Sequence, residues 1–218
     1  MSGTEATLIA TPNAGYAFNS WTLDGEVVST DPSYTFTVTE SVSLTANFDV
    51  VRTQQLVMGW NWWSTDLEIT LDDLKAALVA TGNTSLLIKS QGETTFYSNG
   101  RWKGNLSWDV SNMYKIKVGT ACEITLEGTP INPEEHPVTI RNGYNWIAFP
   151  FNQSMSINAA LAGFSAVSND LIKSSTNNTI FTRGAWRGAL TTFEPSQGYI
   201  FKSVKLEDRI LTFPSSAK

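Results

Sequence analysis

Cysteine is almost absent. The 218-residue chain has one, Cys122, so no disulfide can close within it, and a thiolate metal site would lack ligands. Cys122 lies in the alternating run ACEITLE, which reads as a small residue facing a core. Histidine is as scarce. His136 stands alone in a proline-rich stretch and leaves a histidine-based triad or zinc centre incomplete, so no cofactor or metal is expected. Charge is low at 16% and sums to −5, with no basic cluster longer than two residues. Nucleic acid is therefore not an expected partner, because phosphate recognition needs several cations on one face. No apolar run approaches the ~18 residues of a membrane span. The opening MSGTEATL has neither the basic nor the apolar region of a signal peptide. Met1–Ser2–Gly3 reads as a cloning remnant, and the chain is expected to be part of a longer multidomain protein.

What is present is aromatic and repetitive. Eight tryptophans, six tyrosines and eleven phenylalanines accompany abundant Ser, Thr and Asn, a composition typical of extracellular β proteins. GWNW at Gly59–Trp62 returns as GYNW 84 residues on, at Gly143–Trp146. LIKS (Leu87–Ser90) returns at Leu171–Ser174, and GRWKGNL (Gly100–Leu106) returns as GAWRGAL (Gly184–Leu190), at the same spacing. One inserted residue then shifts the register to 85, where Tyr114 matches Tyr199 and Lys117 matches Lys202. Three motifs in one register mean duplication of a folding unit of about 80 residues.

Residues 5–48 precede the duplication. EATLIAT and YAFNSWTL read as strands around a turn at Pro12–Gly15, Asp24–Gly25 is a hairpin signal, and YTFTVT and VSLTANF alternate with period two. One apolar face and one solvated face predict an antiparallel sheet. The order T-x-x-P-x-x-G-Y-x-F, then W-x-x-x-G, then L-T-A-x-F resembles the divergent internalin B-type repeat. That resemblance implies a spacer or adhesive module of a large secreted or wall-associated bacterial protein.

Within the first copy, Thr70 caps a helix with two acids in its first turn, Leu71, Leu74, Ala77 and Leu78 form its apolar face, and Gly82 stops it. SLLIKS, TTFYS, RWKGNL, MYKIKV and CEITLE are expected to form its sheet, with a type I′ turn at Asn99–Gly100. The proline-rich stretch 128–137 reads as a linker or long turn. The second copy has a shorter helix capped by Ser156, a hairpin at Arg183–Gly184, and a charged tail, KLEDRILTF, expected at a sheet edge. The order GWN, short helix with AAL, W, then G-Y-x-x-K resembles a module of secreted and surface proteins of gut Bacteroidetes, where it implies a C-terminal, non-catalytic element. The fold class is thus mainly β. A small antiparallel repeat over 1–50 precedes two tandem copies of a β-sheet module, each with one short helix, over 54–132 and 137–218.

The residues that could carry function are aromatic. Trp62 and Trp146 read first as core, since residues kept in both copies are those both copies need to fold. Trp102 with Lys103, and Trp186 with Arg187, stand just past the hairpin tips and are the candidate ligand contacts, a cation beside an aromatic ring. The alternative is a tryptophan packed across its own sheet. Lys89–Ser90 and Lys173–Ser174 imitate a Ser–Lys nucleophile pair, but adjacent strand residues point to opposite faces, and no third group repeats with them. Asn61 and Asn145 are placed to close a turn or bulge through their side chains. The expected function is a non-catalytic adhesion or ligand-binding region of a secreted or surface-exposed, outer-membrane-associated bacterial protein, with a host or glycan ligand. A structural stalk, or a carbohydrate-binding module accessory to a hydrolase, is the alternative. Binding predicts an exposed aromatic pair at matching positions of both copies, near a concave surface, whereas a stalk predicts every repeated tryptophan buried and the termini at opposite ends.

Overall fold

A computed structural model describes residues 3–214. The architecture is mainly β with two short helices. The chain divides into two compact units. One runs up to Arg52 and takes in Thr125–Thr129, and the other holds Thr53–Ile124 and resumes at Pro130.

In the first unit, β1 (Thr4–Ile9) pairs antiparallel with β4 (Ser33–Val38). Strand β2 (Tyr16–Leu23) pairs with both β3 (Glu26–Ser29) and β5 (Leu44–Leu56). Asp24 and Gly25 take φ of 51° and 87°, the left-handed pair of a type I′ turn. The small core is aromatic: Phe18 lies 5.9 Å from Trp21 and 5.8 Å from Phe48, ring centre to ring centre.

The second unit contains both copies. In the first, β6 (Gly59–Trp63) leads through β7 (Leu67–Glu68) to α1 (Leu71–Ala80). The strands β8 (Leu86–Lys89), β9 (Thr94–Ser98), β10 (Arg101–Asn105) and β11 (Tyr114–Val118) follow. The sheet order is β10-β9-β8-β11-β6, all antiparallel. CEITLE does not complete it. That run opens β12 (Cys122–Pro130), whose neighbour is β5, and β12 extends into the stretch expected to be a linker. Cys122 shares a face with buried Ile124 and Leu126, but it opens the strand at the end of that face and is only half-buried.

The second copy repeats the plan. After β13 (Val138–Ile140) come β14 (Gly143–Ile147), β15 (Met155–Ser156) and α2 (Ile157–Ala160). Then β16 (Leu171–Lys173), β17 (Asn178–Thr182), β18 (Ala185–Gly188), β19 (Thr192–Phe193), β20 (Tyr199–Ser203) and β21 (Arg209–Leu211) complete it. Its sheet order, β14-β20-β16-β17-β18, is the first copy's order strand for strand. The tail strand β21 pairs only with β13.

Both caps form as the sequence predicts. The Thr70 hydroxyl accepts from Asp73 N while the Asp73 carboxylate accepts from Thr70 N, and Ser156 Oγ accepts from Ala159 N. Leu74 and Leu78 on α1 are fully buried. Below the second sheet, Phe149, Phe193, Phe201 and Phe213 form a closed aromatic core with Tyr199.

The copies meet through a nearly two-fold contact. Ser64 N donates to Ser196 O at 3.2 Å, and Ala148 N donates to Ser111 O at 2.9 Å. Ser64 corresponds to Ala148 and Ser111 to Ser196, so these are one hydrogen bond made twice in opposite senses, the mark of an isologous interface. The local axis passes beside Met113 and its own counterpart, Gly198. A Cβ on Gly198 would stand 2.5 Å from Met113 Cβ. Two side chains cannot occupy one axis, which gives a physical reason for Asn-Met-Tyr in the first copy against Gln-Gly-Tyr in the second.

Candidate ligand-binding face

Strand alternation sorts each sheet into an inner and an outer face, and the buried tyrosines set the parity. On β11, Tyr114, Ile116 and Val118 are buried, so Lys115 and Lys117 face outward. Register carries that parity across the sheet. Lys115 stands opposite Trp62 and Lys89, Lys117 opposite Trp60 and Leu87, Leu87 opposite Phe96, and Phe96 opposite Lys103. In the second copy Lys202 stands opposite Tyr144 and Leu171, Trp146 opposite Ile200, and Ile180 opposite Arg187.

The candidate pairs at the hairpin tips separate on this basis. Trp102 pairs with Tyr97 on the inner side, their rings 5.5 Å apart, and Trp186 lies 6.0 Å from buried Phe201. Lys103 and Arg187 point the other way, onto the outer faces. The glycine two residues after each tryptophan explains why the tip keeps its form. A Cβ on Gly104, at φ 87°, would meet Thr94 O at 2.5 Å, and one on Gly188 would meet Asn178 O.

The structure instead brings a different pair together, and does so twice. Trp60 is 47% exposed with Lys117 Nζ 6.0 Å from its ring centre. Its counterpart Tyr144 is 57% exposed with Lys202 Nζ at 5.7 Å. Both are exposed aromatics flanked by a cation, at equivalent positions. The two outer faces join at Lys115, whose Nζ lies 4.5 Å from the Trp62 ring and 4.7 Å from the Trp146 ring. Burial between these rings pushes its pKa down, and the charges of Lys89 and Lys173, themselves equivalents, push the same way. Sequence reasoning missed Trp60 and Tyr144, although the period-two pattern around Tyr114 and Tyr199 is a signal that could have found them. The signal is the parity of MYKIKV and GYIFKS, not the hairpin tips.

The other repeated polar residues hold the frame. Asn61 Oδ1 accepts from Val57 N, and its Nδ2 donates to the carbonyls of Val57, Gly59 and Ile116. Asn145 makes the equivalent bonds to Arg141, Gly143 and Phe201. Each asparagine staples the kink at a glycine with φ near 90° (95° at Gly59, 88° at Gly143) and so sets the angle at which the aromatic strand leaves. Ser90 Oγ accepts from Glu93 N and Ser174 Oγ from Asn177 N, both at 3.0 Å, so each serine closes a turn while the neighbouring lysine stays on the outer face. Tyr114 OH accepts from Asp109 N at 2.8 Å and Tyr199 OH from Glu194 N at 2.6 Å. Burial pushes both phenols up to about 12.

Beneath those turns lie two equivalent grooves. One of about 260 Å³ is lined by Ser90, Glu93, Ser107 and Tyr114, and one of about 430 Å³ by Ser174, Asn177, Thr191, Glu194 and Tyr199. Each contains one carboxylate. His136 pairs with Glu68 at 2.6 Å, away from both. Among the described residues no group of three or more His, Cys, Asp or Glu converges as a metal set, and no helix is long and apolar enough to cross a membrane.

Residues 1–52 match the family model of the divergent InlB B-repeat domain. The internalin-type repeat read over residues 5–48 is thus shown for the N-terminal part of the chain. No curated protein and no solved structure matches the chain.

Proposed function

We propose that the chain is a non-catalytic, ligand-binding region of a secreted or surface-exposed bacterial protein, and that the outer faces of its two sheets take a glycan. The observation that carries this is the exposed Trp60–Lys117 pair recurring as Tyr144–Lys202. A stalk has no use for a large aromatic held in solvent at the same place in both copies. Aromatic faces stack on sugar rings, and flanking lysines hydrogen-bond hydroxyls. Lys103 and Arg187 extend each face, with Trp102 and Trp186 supporting the sheet from behind. The N-terminal repeat supports the location, since its family is typical of bacterial surface proteins. The resemblance of the duplicated part to a module of gut Bacteroidetes surface proteins points the same way. A single carboxylate in each groove supports the non-catalytic reading, because glycoside hydrolysis uses two.

The test is a glycan and mucin array probed with the chain and with Trp60→Ala/Tyr144→Ala. The wild type should bind, and the double variant should unfold at the same temperature yet fail to bind. An array on which the wild type binds nothing, or on which the variant binds as well, contradicts the proposal. Trp102→Ala/Trp186→Ala should behave differently and lose about 2–4 kcal/mol of stability in urea unfolding, because both rings pack on the inner side.

A further inference from the structure

We propose that the joined outer faces recognise an anionic glycan, a chain of sugar rings bearing carboxylate or sulfate groups, lying across both copies. This rests on the ligand-binding reading above and adds the ligand's charge.

Charge distribution argues for it. The whole chain has 20 acids against 15 bases. The ten strands of the two equivalent sheets, β10-β9-β8-β11-β6 and β14-β20-β16-β17-β18, contain no Asp or Glu, yet carry eight Lys or Arg. All eight sit at outward positions of the register. Five belong to the first copy (Lys89, Arg101, Lys103, Lys115, Lys117) and three to the second (Lys173, Arg187, Lys202).

Four bases elsewhere in the chain have acidic partners. Lys75, Arg141, Lys205 and Arg209 each meet a carboxylate within 4 Å. Among the described residues none of the eight outward cations does. A surface that gathers unpaired positive charge on a chain of net charge −5 favours a ligand of opposite sign, and attracts it from a distance. Lys89 and Lys173 oppose the charge of Lys115 where the faces join, and an anion lying there would relieve that repulsion. The exposed aromatics add a requirement for rings, with Trp60 and Tyr144 on either side of the axis and Phe96 further out at 41% exposure. Because the half-sites are equivalent, one polymer can engage both, and the second engagement is intramolecular.

The experiment titrates the chain with polygalacturonate and with dextran sulfate. The comparison polymers are fully methyl-esterified polygalacturonate (the same sugar, uncharged), polyglutamate (charge without rings) and single-stranded DNA. At least one anionic glycan should bind, with affinity falling as salt rises. The methyl ester, polyglutamate and DNA should each bind at least about tenfold more weakly. Which glycan binds tells carboxylate from sulfate. Lys89→Gln/Lys117→Gln/Lys173→Gln/Lys202→Gln should abolish binding and leave the unfolding midpoint unchanged or raised. A methyl ester that binds as tightly as the acid overturns the charge requirement and leaves the broader glycan reading standing. Polyglutamate or DNA binding equally well makes the face a general polyanion surface and overturns the glycan requirement. If none of the five polymers binds, this inference fails by itself, and the array result alone decides the broader reading.

Discussion

At the scale of single residues, the repeated positions divide into those that fix geometry and those that face solvent. Asn61 and Asn145 belong to the first group. Asn61→Ala or Asn145→Ala strands a backbone N–H and several carbonyls, at a cost of about 1–3 kcal/mol each in urea unfolding. Asn145 should cost more, being 8% exposed where Asn61 is half-buried. Gly198 is needed for a different reason. Gly198→Ala presses a methyl group onto Met113 Cβ across the local axis and should lose about 1–3 kcal/mol, whereas Gly198→Ala with Met113→Gly, which removes that Cβ, should lose less than the sum of the two single changes. The buried phenols set an alkaline limit. Their pKa is raised in the folded protein, so the neutral form is what folding favours. That stabilisation is complete below the ordinary value of 10 and is lost as pH rises to about 12. Tyr114→Phe/Tyr199→Phe should flatten the fall in stability over that window while lowering stability at neutral pH through the lost hydrogen bonds of both hydroxyls.

At the scale of elements, the two copies solve one packing problem in two ways. In the first, three positions carry Leu86, Val118 and Ile124, all apolar and at most 2% exposed. In the second, the counterparts are Asp170, Ser203 and Arg209. Arg209 bonds both Asp170 oxygens, at 2.7 and 2.9 Å, and Ser203 Oγ at 2.7 Å, with Asp170 fully buried. Breaking such a pair leaves an uncompensated buried charge, so Arg209→Ile alone should cost about 3–5 kcal/mol by chemical unfolding. Asp170→Leu/Arg209→Ile should recover at least half of that. The remainder is lost because Asp170 also accepts from Val167 N and Val204 N. This difference was not legible beforehand, because nothing local in KLEDRILTF marks Arg209 as a partner for a residue 39 positions earlier. The strands, both caps and the turns at Asn99–Gly100 and Arg183–Gly184 were legible, since period, capping chemistry and left-handed positions are local properties. The end of the first copy was not. A proline-rich sequence reads as a linker unless the edge that receives it is known, and β12 runs on to Pro130.

At the scale of the whole molecule, duplication has produced two equivalent sheets whose inner faces are cores and whose outer faces are aromatic and cationic, on strands that contain no Asp or Glu. The sequence announces the duplication and the aromatic positions. What it leaves open is which aromatics turn outward, and the candidate pairs Trp102–Lys103 and Trp186–Arg187 divide between faces because neighbours on a strand must. On the proposed function, each copy presents one ligand-binding half-site. The measurement that tests it most directly is the stoichiometry with an oligosaccharide too short to bridge the copies, taken by calorimetry for the wild type, for Trp60→Ala and for Tyr144→Ala. Two ligands should bind per wild-type chain and one per chain of either single variant, with all three proteins folded. A single ligand per wild-type chain, or a stoichiometry that neither substitution changes, would contradict it.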